Sequence, residues 1–178
     1  MVYFIKDNKV FLRKISPEDD LENYLDFVND AENLKWVDGV GNFPLNKDDI
    51  MEHIRGNKNF FLSIFNDKGT HVGNINLSHI DLRNRKAILG IIMGKKFEGK
   101  GYAAHACKLV IRHAFEVLNL HKIYLTVNVE NKKAIALYEK LGFVKEGIER
   151  DMHLCGFKYY DGVRYYLTEE ACRRMKRS

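Results

Sequence analysis

The chain has 178 residues, 46% of them apolar, and its 29 Lys and Arg against 24 Asp and Glu give a formal net charge of +5. That length and apolar share suit one domain with a sizeable core rather than a disordered chain, no apolar run approaches the roughly 18 residues that would span a bilayer, and the segment Met1-Val2-Tyr3-Phe4-Ile5-Lys6-Asp7 lacks the apolar stretch of a secretory signal. Cys107, Cys155 and Cys172 are odd in number and far apart, which fits neither a disulfide framework nor a Cys-x-x-Cys metal pattern, so three free thiols, no metal and a cytoplasmic location are expected.

Val10, Leu12 and Ile15 mark a first strand, and Ser16 followed by Pro17, Glu18, Asp19 and Asp20 reads as an N-cap with proline and carboxylates in the first helical turn. The helix that follows repeats apolar residues at Leu21, Tyr24, Leu25 and Val28, with its acidic residues expected to face water. Gly41-Asn42-Phe43-Pro44 is turn-prone and precedes a short helix over Asp48 to Arg55. Phe60 to Phe65 and Val72 to Leu77 are strands around the turn residues Asn66-Asp67-Lys68-Gly69, which makes an antiparallel hairpin.

A further strand, Ala87 to Met93, runs into Lys96-Phe97-Glu98-Gly99-Lys100-Gly101-Tyr102-Ala103 and then a helix with Ala103, Ala106, Cys107, Val110, Ile111, Ala114, Phe115 and Leu118 on one face. A glycine loop opening a helix is an anion cradle. Gly99 and Gly101 reach backbone angles that let successive N–H groups converge on phosphate oxygens, and the helix end adds partial positive charge. Lys122 to Val129 is a strand rich in β-branched and aromatic residues, and Asn131 to Leu141 is a helix closed by Gly142 at C′. A strand, crossover helix and strand connect right-handedly in parallel, so the strands ending at Met93 and Val129 are expected to be parallel. Phe143 to Ile148 and Tyr159 to Leu167 read as strands joined by a long loop, and Glu169 to Lys176 as a small final helix. Arg173, Arg174, Lys176 and Arg177 suit a solvated helix end better than a nucleic-acid contact, since no reader motif or interleaved aromatic accompanies them.

Three blocks together resemble the Gcn5-related N-acetyltransferases (GNAT), in the branch of spermidine and ribosomal-protein N-terminal acetyltransferases. They are Gly90-Ile91-Ile92-Met93, Phe97-Glu98-Gly99-Lys100-Gly101-Tyr102-Ala103, and Asn131-Lys132-Lys133-Ala134-Ile135-Ala136-Leu137-Tyr138-Glu139-Lys140-Leu141-Gly142-Phe143. The likeness runs from about Val72 to Leu167. It implies one N-acetyltransferase domain over residues 1–178 with an α/β fold, a mixed central sheet splayed between its fourth and fifth strands, and helices on both faces. It further implies acetyl-CoA in the splay, its pantetheine arm on the backbone of Ile91, Ile92 and Met93, and a Gly90-centred bulge that starts the divergence. Its pyrophosphate would lie on the amides of Glu98, Gly99, Lys100, Gly101, Tyr102, Ala103 and Ala104, with Asn131, Lys133, Ala134 and Tyr138 completing the cofactor set. Lys96 stands where the family often has Gln or Arg, which keeps charge but loses bidentate geometry.

Acyl transfer from a thioester needs a neutral amine, a donor for the developing oxyanion and a proton for the leaving thiolate. Tyr138 is the candidate acid; its alternative is packing beside Leu137 and Leu141. A phenol near pKa 10 gives its proton to a thiolate near 8.5 at a cost of only about 2 kcal/mol. The oxyanion donor is expected to be a backbone N–H near Ile92 or Met93. His79, His105, His113, Glu98, Asp81 or a water chain are open as the base, with His105 and His113 off the apolar stripe and so placed on the surface. Cys107 lies on that stripe as a core residue, which points to direct transfer in a ternary complex.

The acceptor is expected to be a small-molecule primary amine, polyamine-like or an amino sugar, with a protein N-terminus as the alternative. Trp36, Asp38 and Phe43 are the candidate substrate residues, and Phe157, Tyr159 and Tyr160 are further aromatic candidates; Trp36 also reads as a core residue. Glu18, Asp19, Asp20, Glu22, Asp26, Asp30 and Glu32 could attract a polyamine but read more simply as solvated helix charges. No nucleic-acid or membrane partner is expected, and the family implies a homodimer. A non-enzymatic reading, an acyl-CoA-binding regulator, has no use for the Tyr138 acid.

Overall fold

The computed structural model describes residues 3–36, 45–56, 60–155 and 157–175. Its contacts divide the chain into two units, residues 1–78 with 90–110 and residues 79–89 with 111–178. The strand His71–Asp81, β5 (Lys86–Met93) and α4 (Tyr102–Glu116) each contribute residues to both.

In the first unit, β1 (Ile5–Lys6), β2 (Val10–Lys14), β3 (Phe60–Asn66) and β4 (His71–Asp81) pair in sequence as an antiparallel meander, with Leu12 opposite Ile5 and Ile64, and Leu62 opposite Ile75. The expected hairpin turn is present: Asn66 Oδ1 accepts from the N–H groups of Lys68 and Thr70, and Gly69 takes φ +74°. Helices α1 (Pro17–Asn29), α2 (Ala31–Leu34) and α3 (Lys47–Gly56) follow β2. Ile15, Leu21, Tyr24, Val28, Ile50 and Phe61 form a buried cluster, which the helical spacing of α1 foretold. Two small elements, β1 and α2, were not expected; α2 exists because Asp30 caps the amides of Glu32 and Asn33.

Asp20 corrects the expectation that the acidic residues of α1 face water. It is 1% exposed, and its carboxylate accepts from Arg13 Nη2 at 2.7 Å, from Ser63 Oγ at 2.8 Å and from the Ser16 N–H at 2.9 Å. Ser16 itself caps nothing with its side chain; its hydroxyl donates to Glu18. A buried carboxylate is tolerable here because a cation and two donors surround it.

In the second unit, β5 and β6 (Lys122–Asn128) are parallel, as the crossover rule requires, through Lys86 with Lys122, Ala87 with Ile123 and Ile88 with Tyr124, where the ladder ends. Because β1 precedes them, these are the fifth and sixth strands rather than the fourth and fifth. α5 (Lys132–Lys140) leads to β7 (Val144–Cys155) and β8 (Lys158–Thr168), which pair antiparallel with each other, and β8 pairs with β6. By pairing, the mixed sheet runs β1-β2-β3-β4-β5-β6-β8-β7. The long loop expected after Ile148 is instead strand: register shifts between Glu149 and His153, together with Asp151 at φ +52°, disturb the alternation without ending the ladder. α6 (Glu169–Met175) closes the chain, with Arg173 and Arg174 paired to Glu169 and Glu170 one turn back, as a solvated helix end would have them.

Candidate active site

The end of β5 is fixed by close contacts within the first unit. Gly94 donates its N–H to the Val72 carbonyl, and Asn33, 8% exposed, donates from Nδ2 to the carbonyls of Phe27 at 2.9 Å and Met93 at 3.1 Å. A Cβ on Gly73 would stand 2.4 Å from the Ile92 carbonyl oxygen, and one on Gly94 would stand 2.5 Å from Phe27. Both positions therefore demand glycine. At Gly90, where the resemblance implies a bulge, Asn76 Oδ1 would lie 2.3 Å from a Cβ. Ile91, Ile92 and Met93 are half-buried, and the Ile92 side chain packs on the buried cluster. The Met93 carbonyl is already engaged by Asn33.

After Gly94 a 3₁₀ turn, Lys95–Phe97, presents the glycine loop. Glu98 spends its N–H on the Lys95 carbonyl and its carboxylate on Lys95 Nζ at 3.7 Å, so it drops out of the expected set of free amides. Gly99 and Gly101 take φ +72° and +84°, the left-handed region that residues with a Cβ rarely enter. The first bond of α4 runs from the His105 N–H to the Gly101 carbonyl at 3.2 Å, which leaves Tyr102, Ala103 and Ala104 as helix-end amides without an intrahelical acceptor. Among the described residues no backbone carbonyl accepts from Gly99, Lys100 or Gly101 either. Six consecutive donors at a helix N-terminus suit a diphosphate, so the residues fit the group that acetyl-CoA would bring. Lys96 and Lys100 place their ammonium groups 5.1 and 5.5 Å from the Phe97 ring centre. Lys9, which the sequence did not mark, reaches the same loop: its Nζ lies 3.4 Å from where a Gly101 Cβ would be. Only the tertiary structure reveals this, because Lys9 is 92 residues away in the chain.

In the second unit Asn131 is the N-cap of α5. Its Oδ1 accepts from the Ala134 N–H at 3.1 Å, so the Ala134 amide is committed to the cap and the Asn131 Nδ2 is the group left for a ligand. Lys133 is exposed. Tyr138, 7% exposed, lies two turns along α5 and meets Phe143 edge-on with ring centres 5.7 Å apart. Gly142 at φ +86° closes the helix as expected.

Of the groups left open as the base, Asp81 and His105 have other commitments, as Glu98 does. Asp81 accepts from the N–H and Nδ2 of Asn84, bonds that hold its carboxyl below the ordinary range. His105 is not a plain surface residue, for its Nδ1 lies 2.7 Å from Asp7 Oδ2, and His113 is desolvated enough to lower its pKa. His79 is exposed at the end of β4. Cys107 is wholly buried and burial pushes its thiol up to about 12, which removes it as a nucleophile. Trp36 is 39% exposed rather than in the core, and Asp38 and Phe43 lie outside the described residues.

Residues 9–144 match the family model of the acetyltransferase (GNAT) domain. The chain is 35% identical over 118 residues to a spermidine N(1)-acetyltransferase of Vibrio cholerae, covering 66% of this chain and 68% of that protein. It is 39% identical over 101 residues to a putative ribosomal N-acetyltransferase, YdaF, of Bacillus subtilis, a match that spans 57% of this chain and only 55% of the relative. The crystal structure of a spermidine N-acetyltransferase from Vibrio cholerae in complex with CoA and spermine superposes with a TM-score of 0.85 at 27% identity, covering 94% of this chain and 99% of that one. The glycine loop on which the sequence reading rested and the matched span agree, and the chain belongs to the GNAT acetyltransferase family.

Proposed function

We propose that this chain is an N-acetyltransferase that moves an acetyl group from acetyl-CoA to a small primary amine by direct attack in a ternary complex. The run of six loop and helix-end amides, Gly99 to Ala104, from which no backbone carbonyl among the described residues accepts, carries the reading, since such a run at a helix N-terminus suits an anionic ligand. The matched span, 9–144, draws residues from both units, which supports one N-acetyltransferase domain over 1–178.

Acetyl-CoA supplies the activated thioester. The chain's own residues bind and orient it: Gly99 to Ala104 hold the diphosphate, Ile91 to Met93 offer main-chain groups to the pantetheine arm, and Asn131 contributes Nδ2 while its Oδ1 caps α5. A backbone N–H at the end of β5 stabilises the developing oxyanion, and Tyr138 gives its phenol proton to the departing thiolate. The inert Cys107 supports transfer without an acetyl-enzyme.

A polyamine-like acceptor is favoured by the relatives named for spermidine and by the neighbour solved with spermine. On α1 and α2 the carboxylates of Glu18, Asp19, Glu22, Asp26 and Glu32 are exposed, although Asp19, Glu22 and Glu32 already pair with Arg13, Lys47 and Lys35. The second reading, acetylation of a protein N-terminus, draws on the ribosomal relative. Release of free thiol from acetyl-CoA, followed with spermidine, an amino sugar and a peptide with a free N-terminus, tests both. Turnover with spermidine is expected to exceed that with the peptide; turnover with the peptide alone reverses the choice of acceptor, and none with any amine overturns the enzyme reading.

A further inference from the structure

The turn between β1 and β2 stands against the first turn of α4 through three residues. Asp7 builds the turn: its Oδ1 accepts from the N–H groups of Lys9 at 2.7 Å and Val10 at 2.8 Å, and its own N–H donates to the Val10 carbonyl at 3.0 Å. Its other oxygen, Oδ2, lies 2.7 Å from His105 Nδ1 on α4. Burial works to raise the Asp7 carboxyl pKa but is outweighed by the bonds from Val10, His105 and Lys9, and the carboxyl stays below its ordinary value, charged and able to hold the latch. The turn so fixed sends the Lys9 side chain over the glycine loop. Its Nζ lies 3.4 Å, and its Cε 3.8 Å, from the position of a Cβ on Gly101, and Nζ is 5.8 Å from the Tyr102 ring centre.

The N-terminus of α4 carries partial positive charge, Lys96 and Lys100 stand on the same loop, and no carboxylate among the described residues lies within ion-pair distance of the Lys9 ammonium. A half-buried lysine that adds positive charge to free amides is accounted for when an anion completes the site. We propose that Lys9 is a further phosphate-contacting residue of the acyl-CoA site and that Asp7 and His105 position it. The inference rests on the reading of the glycine loop above. Its ligand chemistry is a phosphate, supplied either by the diphosphate or by the 3′-phosphate of CoA.

Isothermal titration of the whole chain with CoA and with 3′-dephospho-CoA tests it, on wild type, Lys9→Gln, Lys9→Arg, Asp7→Asn and Asp7→Asn/Lys9→Gln. Lys9→Gln is expected to weaken CoA about tenfold, the scale of one charge-assisted hydrogen bond, and to flatten the dependence of affinity on salt, whereas Lys9→Arg keeps most of the affinity. A loss for CoA but not for the dephospho form assigns Lys9 to the 3′-phosphate; an equal loss for both assigns it to the diphosphate. The penalty of Asp7→Asn is expected to vanish once Lys9 is already Gln. Equal affinity of wild type and Lys9→Gln at low salt overturns the role of Lys9, and an Asp7→Asn penalty that persists in the Lys9→Gln background overturns the positioning role of Asp7. Failure of wild type to bind CoA at all is a different result, which overturns the glycine-loop reading itself and the inference with it.

Discussion

Two tyrosines of the second unit bear on the proton that a leaving thiolate needs. The Tyr165 hydroxyl donates to Glu139 at 2.8 Å, and burial together with that carboxylate pushes it up to about 12. Such a phenol is a poor proton donor to a thiolate near 8.5. Tyr138 lies one residue before Glu139 on α5, and its ring packs edge-on against Phe143. A phenylalanine at 138 preserves that packing and deletes only the oxygen. Tyr138→Phe is therefore expected to lower kcat by about 100-fold, the low end for a general acid, with the KM for acetyl-CoA and the melting temperature close to wild type. Tyr165→Phe, assayed beside it, is expected to leave kcat near wild type. An unchanged kcat in Tyr138→Phe removes it as the acid.

α5 joins a structural task to a binding one at a single residue. Asn131 Oδ1 caps the helix through the Ala134 N–H, and Nδ2 is free for the cofactor in the proposed role. The two can be separated. Asn131→Ala is expected to cost about 1 kcal/mol of stability as a lost cap, read from the urea midpoint. Asn131→Asp keeps an acceptor on the cap and places a carboxylate at a helix N-terminus, so it holds stability, but it loses the Nδ2 donor and is expected to weaken CoA in titration. Equal CoA affinity of Asn131→Asp and wild type would confine Asn131 to capping.

At the scale of the whole molecule, what the sequence disclosed divides by whether its cause is local. The α4 stripe from Ala106 to Phe115, the hairpin turn at Asn66 to Gly69 and the cap and stop of α5 were all legible, because periodicity and turn chemistry act over a few residues. The glycine loop was legible for the same reason. Burial of Asp20 was not, since its partners Arg13 and Ser63 lie on other elements, nor was Lys9 beside Gly101. The β7–β8 hairpin escaped because bulged strand mimics loop when alternation is the only guide. The polar cluster hidden in this way has a consequence for stability. Asn74 donates to Ser63 Oγ, which donates to Asp20, and His71, 5% exposed, places Nε2 at 2.9 Å from the Gly73 carbonyl and 3.1 Å from Asn74 Oδ1. With two acceptors before it Nε2 carries the hydrogen, and Nδ1 is buried with no hydrogen-bond partner. Protonating Nδ1 would bury an unmatched donor and a charge. Burial accordingly depresses the His71 pKa, the nearby Asp20 charge opposing and Arg13 adding to the effect. The unfolded chain takes up this proton near pH 6.5 and the folded chain only at lower pH. The unfolded state thus binds more protons in that window, so the contribution is complete above about pH 6.5 and is lost as pH falls toward the folded pKa. His113, also depressed by burial, acts in the same direction. Asp7, whose pKa is lowered from 3.8, loses its contribution only at lower pH, outside the range of the two histidines. Urea unfolding at pH 7.5 and 5.5 is expected to give a lower free energy at 5.5, and His71→Gln is expected to reduce that difference. An equal difference in the variant and the wild type would show that His71 titrates alike in the folded and unfolded chain.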